Sequence, residues 1–404
     1  MLARCILLAL SLFIAACGSA APANPTRGAL PTLPNVGWRL SAAPISPANA
    51  DKLALIGNLI GHSATVNHFA FDVTRSWLIS VDAVGVAILW DLNTGRRIQV
   101  LSQPDPSFGA EGDVQDAFFS AEGETIALVT RRGVRFLRAA DRSPLPELSG
   151  GAIAVSGAAL SADGRRLATT GGGGELWLWD AVAGRVLHQI AGRGYLAEQP
   201  RFAPDNAQLA VITRDERGAL VRLYDARNAQ ALAELRGFGG APVALAFNAD
   251  STLLAIGALG EVQVFRTSDY AQVYSVSAPE IDPRRGLAFS PDRRFLLIGG
   301  RGDEVFVQAA ENGAGVRRLT EHGGGLSALV FSADGALLLS VLSSPRGVYV
   351  WLVESIRIES PNYLRGTLGA GQSGFLTGAF SPDNKFIALA EASGGVMIYG
   401  IPRQ

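Results

Sequence analysis

With 35 basic and 36 acidic side chains in 404 residues, a formal net charge of -1 gives no global field to draw the chain to nucleic acid or to an anionic bilayer. A hydrophobic content of 48% against 18% charged residues excludes a disordered chain and supplies ample material for a core. Any partner must therefore be recognised by local surface chemistry.

The chain opens with a short positive start, Met1 to Arg4, and then Cys5 to Ala16 (CILLALSLFIAA) is apolar apart from Ser11 and ends in small residues. That pattern predicts a signal peptide over residues 1–16. The run is about half of the roughly 20 residues that a spanning helix needs, and no later stretch is longer and equally apolar, which argues against a polytopic membrane protein. Ile14-Ala15-Ala16-Cys17 resembles the lipobox of bacterial lipoproteins. The resemblance implies cleavage before Cys17 and acylation of its thiol, so that a lipid anchor is the only contact with a membrane. It also implies a place on the outer face of a bacterial cell membrane or in the periplasmic or outer-membrane envelope. Two or more acyl chains, each adding about 0.8 kcal/mol per buried CH₂, suffice for stable anchoring. The alternative is an ordinary signal peptide with an incidental cysteine. With Cys5 removed and Cys17 acylated, no disulfide is expected. The following GSAAPANPTRGALPTLPNVG is rich in Pro, Ala and Gly without periodicity, so residues 17–49 read as a flexible tether.

From residue 50 onward the chain repeats itself. Asp51 to Leu59 has the pattern of a strand and precedes Gly61-His62. A five-residue phrase then recurs at Phe71 (FDVTR), Phe119 (FSAEG), Leu160 (LSADG), Phe202 (FAPDN), Phe247 (FNADS), Phe289 (FSPDR), Phe331 (FSADG) and Phe380 (FSPDN), at steps of 41 to 49 residues. Each phrase is a hairpin turn, in which Asp bonds back to the backbone and Gly or Asn tolerates positive φ. An apolar strand, a glycine-rich turn and a second strand such as VAILWD, LWLWD or LVRLYD follow. Strands apolar on both faces belong to sheets covered on both sides, which radially stacked blades provide.

These units resemble the WD repeat, with Gly61-His62 at the start, Trp90-Asp91 and Trp179-Asp180 closing third strands, and Tyr224-Asp225, Phe265, Trp351 and Tyr399 as weaker equivalents. The resemblance covers 50–404 and implies an all-β fold: one β-propeller of eight four-stranded blades. Seven blades is the alternative, should Asp113 to Leu148 pack otherwise. The strand before His62 is expected to complete the last blade and close the ring. The family's polar tetrad maps onto His62, Ser80 and Trp90, and onto Thr169 and Trp179, while His322 has the phase of His62. The position expected for the tetrad's turn Asp holds Val84, which puts that network in doubt.

Chemistry-bearing motifs are missing: there is no G-x-S-x-G, H-E-x-x-H, Walker loop, C-x-x-C pair or calcium loop, so no catalytic residue, metal or cofactor is expected. Gly171 to Gly174 lies between two strands and opens no helix, so it reads as a turn, and the phrase aspartates (Asp163, Asp205, Asp250, Asp292, Asp334, Asp383) read as one turn residue per blade. His188 falls in an outer strand and reads as a surface residue. His68 sits in an inner strand, where it could face the channel. Loop residues that the fold does not require, Phe108, Arg131, Arg132, Tyr195, Arg214, Asp215, Phe238 and Arg284, are the candidate partner contacts, because aromatic and Arg side chains are the usual interface anchors. The expected function is a monomeric, membrane-anchored, extracytoplasmic protein-binding scaffold without catalytic activity, whose protein partner is unidentified. The alternative is an enzyme or small-molecule binder using the central channel, which would require His, Asp or Glu side chains from inner strands to converge. The small, apolar inner strands GAIAVSGAAL and APVALAF argue against that.

Overall fold

Each recurring phrase turns one strand back on the next. In the computed structural model, which describes residues 37–403 except 73, 104–111, 146–154, 193–194, 321–324, 345–346 and 357–373, the strands form eight antiparallel sheets. They follow one another as blade 1 (66–100), blade 2 (114–145), blade 3 (155–190), blade 4 (197–235), blade 5 (242–277), blade 6 (287–319), blade 7 (325–352) and blade 8 (375–402). The ring is therefore eight-bladed, and 113–145 forms one of its blades. Blades 1, 3, 4, 5 and 6 have four strands in the order of the sequence. Among the described residues blades 2 and 7 have three. In blade 2 a bridge between Leu137 and Pro144 follows the third strand, and in blade 7 the short helix Val353–Ile356 does.

Burial explains the composition of each strand. Second strands are closed in on both faces, as in Leu253–Ala258, where five of six residues are buried. Fourth strands form the rim, and Gln272–Ser277 (QVYSVS) alternates exposed and half-buried residues accordingly. Apolar clusters fill the seams between neighbouring blades. The one between blades 8 and 1 joins Ile56, Val66, Leu78, Trp90, Phe386 and Ile398.

The phrase works as a double clamp. In Ser332-Ala333-Asp334-Gly335, the buried Ser332 donates to Asp334 Oδ1 at 2.6 Å and accepts from Leu337 N at 2.9 Å, while Ala336 N donates to Asp334 at 3.1 Å. The last phrase residue then takes the left-handed conformation, at Gly335 (φ 70) and also at Asn206, Ser251, Arg293 and Asn384. Adjacent turns are also stitched together around the ring: Asp163 N donates to Asn206 Oδ1 at 3.3 Å, Asp205 N to Ser251 Oγ at 2.9 Å, and Ala333 N to Asn384 Oδ1 at 3.0 Å.

Closure uses the segment before His62. Ala54–Leu59 pairs antiparallel with the last strand, Val396–Pro402, with Leu55 opposite Tyr399 and Leu59 opposite Val396. Ala50–Lys52 is a 3-10 turn, so the strand is shorter than Asp51 to Leu59. A second addition was not foreseen. Ser41–Ala43 pairs with the far end of the same strand, Ser41 opposite Pro402, giving blade 8 five strands. Residues 37–49, read from sequence as part of the tether, thus pack on the blade, because Trp38 and Ile45 find apolar seams to fill.

Candidate functional site: interaction face and axial cluster

Strand direction sorts the turns onto two faces. The first strand of blade 1 begins opposite Asp82 and ends opposite Trp77, so turns between second and third strands share one end with the loops that join blades. The phrase turns lie at the other end.

On the first of these faces blade 1 carries a complete polar network. His62 Nε2 and Ser80 Oγ are 2.6 Å apart, Trp90 Nε1 donates to Ser80 Oγ at 2.8 Å, and His62 Nδ1 lies 3.0 Å from Asp82 Oδ2. The acidic member is Asp82, not the residue at Val84. Its second oxygen accepts from Val84 N and Val86 N at 3.1 and 2.9 Å and so also fastens the turn. Blade 3 retains Trp179 Nε1 to Thr169 Oγ1 at 2.9 Å, and Glu175 accepts from Gly173 N at 3.0 Å where an Asp would stand. The turn Gly171 to Gly174 connects the second and third strands, as expected. Blade 7 has Trp351 Nε1 to Ser340 Oγ at 2.7 Å. His322, Cys17 and Phe108 lie outside the described residues.

Of the expected contact residues, three come together. Tyr195, Arg214 and Asp215 line a cleft of about 270 Å³ between blades 3 and 4, with Ile190 and Tyr224 also in its wall. One rim is an ion network: Arg236 bonds Asp215 and Glu234, and Arg222 Nε donates to Glu234 Oε1 at 2.8 Å. The Arg236 guanidinium holds the Asp215 carboxyl down at about 2. Arg214 is exposed and, like Tyr195, has no hydrogen-bond partner among the described residues. The others are dispersed. Arg131 and Arg132 form the turn of blade 2, where Thr130 Oγ1 accepts from Arg132 N at 3.2 Å. Arg284 Nε donates to Asp282 at 2.8 Å. Phe238 is half-buried and edge-on to Phe265 at 6.4 Å.

A further set was missed from the sequence. His68 Nδ1 of blade 1 lies 3.5 Å from Asp116 Oδ1 of blade 2, with side-chain exposures of 47% and 20%. Arg201 of blade 4 acts on the same carboxylate without reaching ion-pair contact. Burial pushes Asp116 above the ordinary carboxylate range, against the opposing pull of His68 and then Arg201, and burial lowers Arg201. Inner-strand side chains of blades 1 and 2 thus meet at His68 and Asp116, and no set of three His, Cys, Asp or Glu residues able to hold a metal occurs among the described residues. His188 is half-buried on the fourth strand of blade 3.

Comparison with known proteins agrees with the architecture. No family model matches the chain. It is similar to a guanine nucleotide-binding protein subunit beta of Oryza sativa subsp. japonica, 25% identical over 314 residues, which is 72% of this chain and 81% of that one. It is also similar to an uncharacterized WD repeat-containing protein of Synechocystis sp., 29% identical over 141 residues, 34% of this chain and 39% of the relative. Among solved structures, the Dos1 propeller superposes with a TM-score of 0.68 at 15% identity, covering 90% of this chain and 95% of its own. The computationally designed Ika8 protein gives 0.66 at 20% identity, covering 85% and 98%. The solved structures show the propeller fold, and in sequence the chain is similar in part to a WD repeat-containing protein.

Proposed function

We propose that this WD-repeat-type propeller is a monomeric protein-binding platform, without catalytic activity, held at the outer face of a bacterial membrane by a lipid on Cys17. The observation that carries the reading is the cleft between blades 3 and 4. It combines an apolar wall, a Tyr hydroxyl and an exposed guanidinium, all on the face where the blade-joining loops meet. Aromatic and Arg side chains that the fold leaves without partners are the groups from which interface hot spots are built. Similarity to a WD repeat-containing protein supports the repeat architecture on which this reading rests.

Crosslinking in intact cells through a photoreactive residue at position 214, followed by capture from solubilised membranes, tests the platform. A protein retrieved by the parent and lost in Tyr195→Ala and Arg214→Ala supports it, and capture of nothing above background counts against it. Mass spectrometry of the mature N-terminus tests the anchor: a diacylated Cys17 is expected, and an unmodified N-terminus or cleavage elsewhere refutes it.

A further inference from the structure

Blade 4 departs from its neighbours at one place. The step from Phe202 to Phe247 is 45 residues, against 42 from Leu160 to Phe202 and 42 from Phe247 to Phe289. Its second and third strands, Gln208–Asp215 and Gly218–Asp225, have eight residues each, where those of blade 5, Leu253–Ala258 and Glu261–Arg266, have six. The added rungs are Arg214 opposite Ala219 and Asp215 opposite Gly218, at the tip of the hairpin. Blade 5 packs without them, and insertions into one repeat gather on the face that binds.

The extended hairpin forms one end of the cleft between blades 3 and 4. That end includes Tyr195, Arg214 and Asp215, and the other includes Tyr224, Ala229 and Ala231. Arg214 lies opposite Ala219 and Tyr224 opposite Ala231, so the two ends stand five strand residues apart, roughly 17 Å. The cleft is thus a groove along the third strand of blade 4, with the length of about five residues of extended chain. Its chemistry changes along that length. Arg236 bonds both Asp215 and Glu234, and Glu234 also accepts from Arg222, so each carboxylate of the lining is already compensated. Arg214 keeps a full positive charge with no hydrogen-bond partner among the described residues, and the Tyr195 hydroxyl in the same cleft is likewise unbonded among them. The far end presents the Tyr224 ring and two alanine methyl groups.

We propose that this groove binds an extended acidic segment of a partner protein, with an Asp or Glu carboxylate on Arg214 and an apolar side chain about four or five residues away against Tyr224, Ala229 and Ala231. The proposal rests on the platform reading and names the chemistry of the partner. A basic segment would be repelled by the uncompensated guanidinium, and a neutral one would gain nothing from it. The guanidinium fork donates to a carboxylate in bidentate geometry, and the apolar contact at the far end fixes the direction in which the segment lies.

The test is selection of peptides from a displayed random library on the immobilised full-length protein, with the affinities of enriched peptides measured by fluorescence anisotropy. Enriched sequences should carry an acidic residue about four or five positions from a large apolar one. Their binding should weaken about 10-fold or more in Arg214→Ala, the effect of one lost charge-assisted contact, and Arg214→Lys, which keeps the charge without the fork, should recover part of it. Replacing the acidic residue of the peptide by its amide should cost about as much in the parent and nothing further in Arg214→Ala. Arg214 is exposed, so both variants should fold, and their melting curves verify that. Enriched peptides without an acidic residue, or peptides that bind Arg214→Ala as tightly as the parent, overturn the proposal and leave the platform reading standing, since a partner crosslinked through position 214 can carry any charge. Failure to enrich any peptide also overturns it, and the crosslink then decides the platform reading by itself.

Discussion

The indole N–H of Trp38 donates to the carbonyl of Leu92 at 3.2 Å, fastening the lead-in of the chain to the end of the third strand of blade 1, 54 residues away. The ring lies directly on two glycines. A Cβ at Gly57 or Gly95 would stand 2.4 or 2.3 Å from a ring carbon, and Gly95 has φ +67. Trp38 therefore clasps blade 8 to blade 1 at the seam where the ring closes.

Trp38→Ala should lower stability by about 2 kcal/mol, less than for a fully buried Trp because the ring is only half-buried. Gly95→Ala should cost at least as much, since it adds backbone strain to the loss of the clasp. Urea denaturation reads both. An unchanged midpoint in Trp38→Ala would mean that the docked lead-in adds nothing to closure.

Ser80 is the hub of the blade 1 network, accepting from Trp90 and facing His62. Ser80→Ala strands two buried partners and should cost about 2–4 kcal/mol. Thr169→Val in blade 3 strands only Trp179 and should cost about 1–2 kcal/mol. The order of the two midpoints is the check. Equal losses would show that His62 and Asp82 contribute nothing through Ser80.

The sequence exposed the architecture because the turn phrase is chemically specific: Ser and Asp clamp the backbone and the next residue must enter the left-handed region, so the phrase cannot drift among helix or loop positions. The closing strand was legible for a similar reason, as an apolar segment left over when the last repeat ran out of chain. Asp82 was misplaced because residues 82 and 84 share a parity along the strand, and spacing alone does not say which one enters the turn. Trp38 was missed because Pro, Ala and Gly around it suppress any period. His68 was legible as an inner-strand residue, but Asp116 and Arg201 each occupy a separate repeat, and the apolar character of blades 3 and 5 hid them. Aligning the inner strands on the phrase residue is the signal that would have found them.

Ala229, in the turn between the third and fourth strands of blade 4, adopts φ 59, where Gly95, Gly184 and Gly313 serve in blades 1, 3 and 6. A Cβ in that region costs roughly 1–2 kcal/mol, while glycine brings back part of that as unfolded-state entropy. Ala229→Gly should thus stabilise the protein by about 0.5–1 kcal/mol. A melting temperature that falls would place the strain elsewhere.

Asp215 owes its low titration point first to Arg236. A depressed carboxyl contributes stability that is present above its unfolded value, near 3.8, and is lost as pH falls through about 2. In Arg236→Gln the carboxyl should titrate back toward 3.8 by carboxyl-carbon NMR, and Arg222 should remain on Glu234. An Asp215 that stays near 2 in that variant would show that the Arg217 backbone bond, not the guanidinium, sets it.

Asp116 works in the opposite sense. Its folded-state titration point is raised by burial, which outweighs the attraction of both His68 and Arg201. The folded protein therefore holds that proton more tightly than the unfolded chain, and the stability this confers is present below about pH 4 and lost as pH rises through the raised value. Asn mimics the protonated acid in shape and charge, so Asp116→Asn should melt higher than the parent at neutral pH, with the gap narrowing toward zero as pH falls to about 4. Melting curves across that range decide the matter. A gap that does not vary with pH would show that ionisation of Asp116 carries no cost in the folded state, and a parent more stable than the variant at neutral pH would show that Arg201 and His68 repay the burial in full.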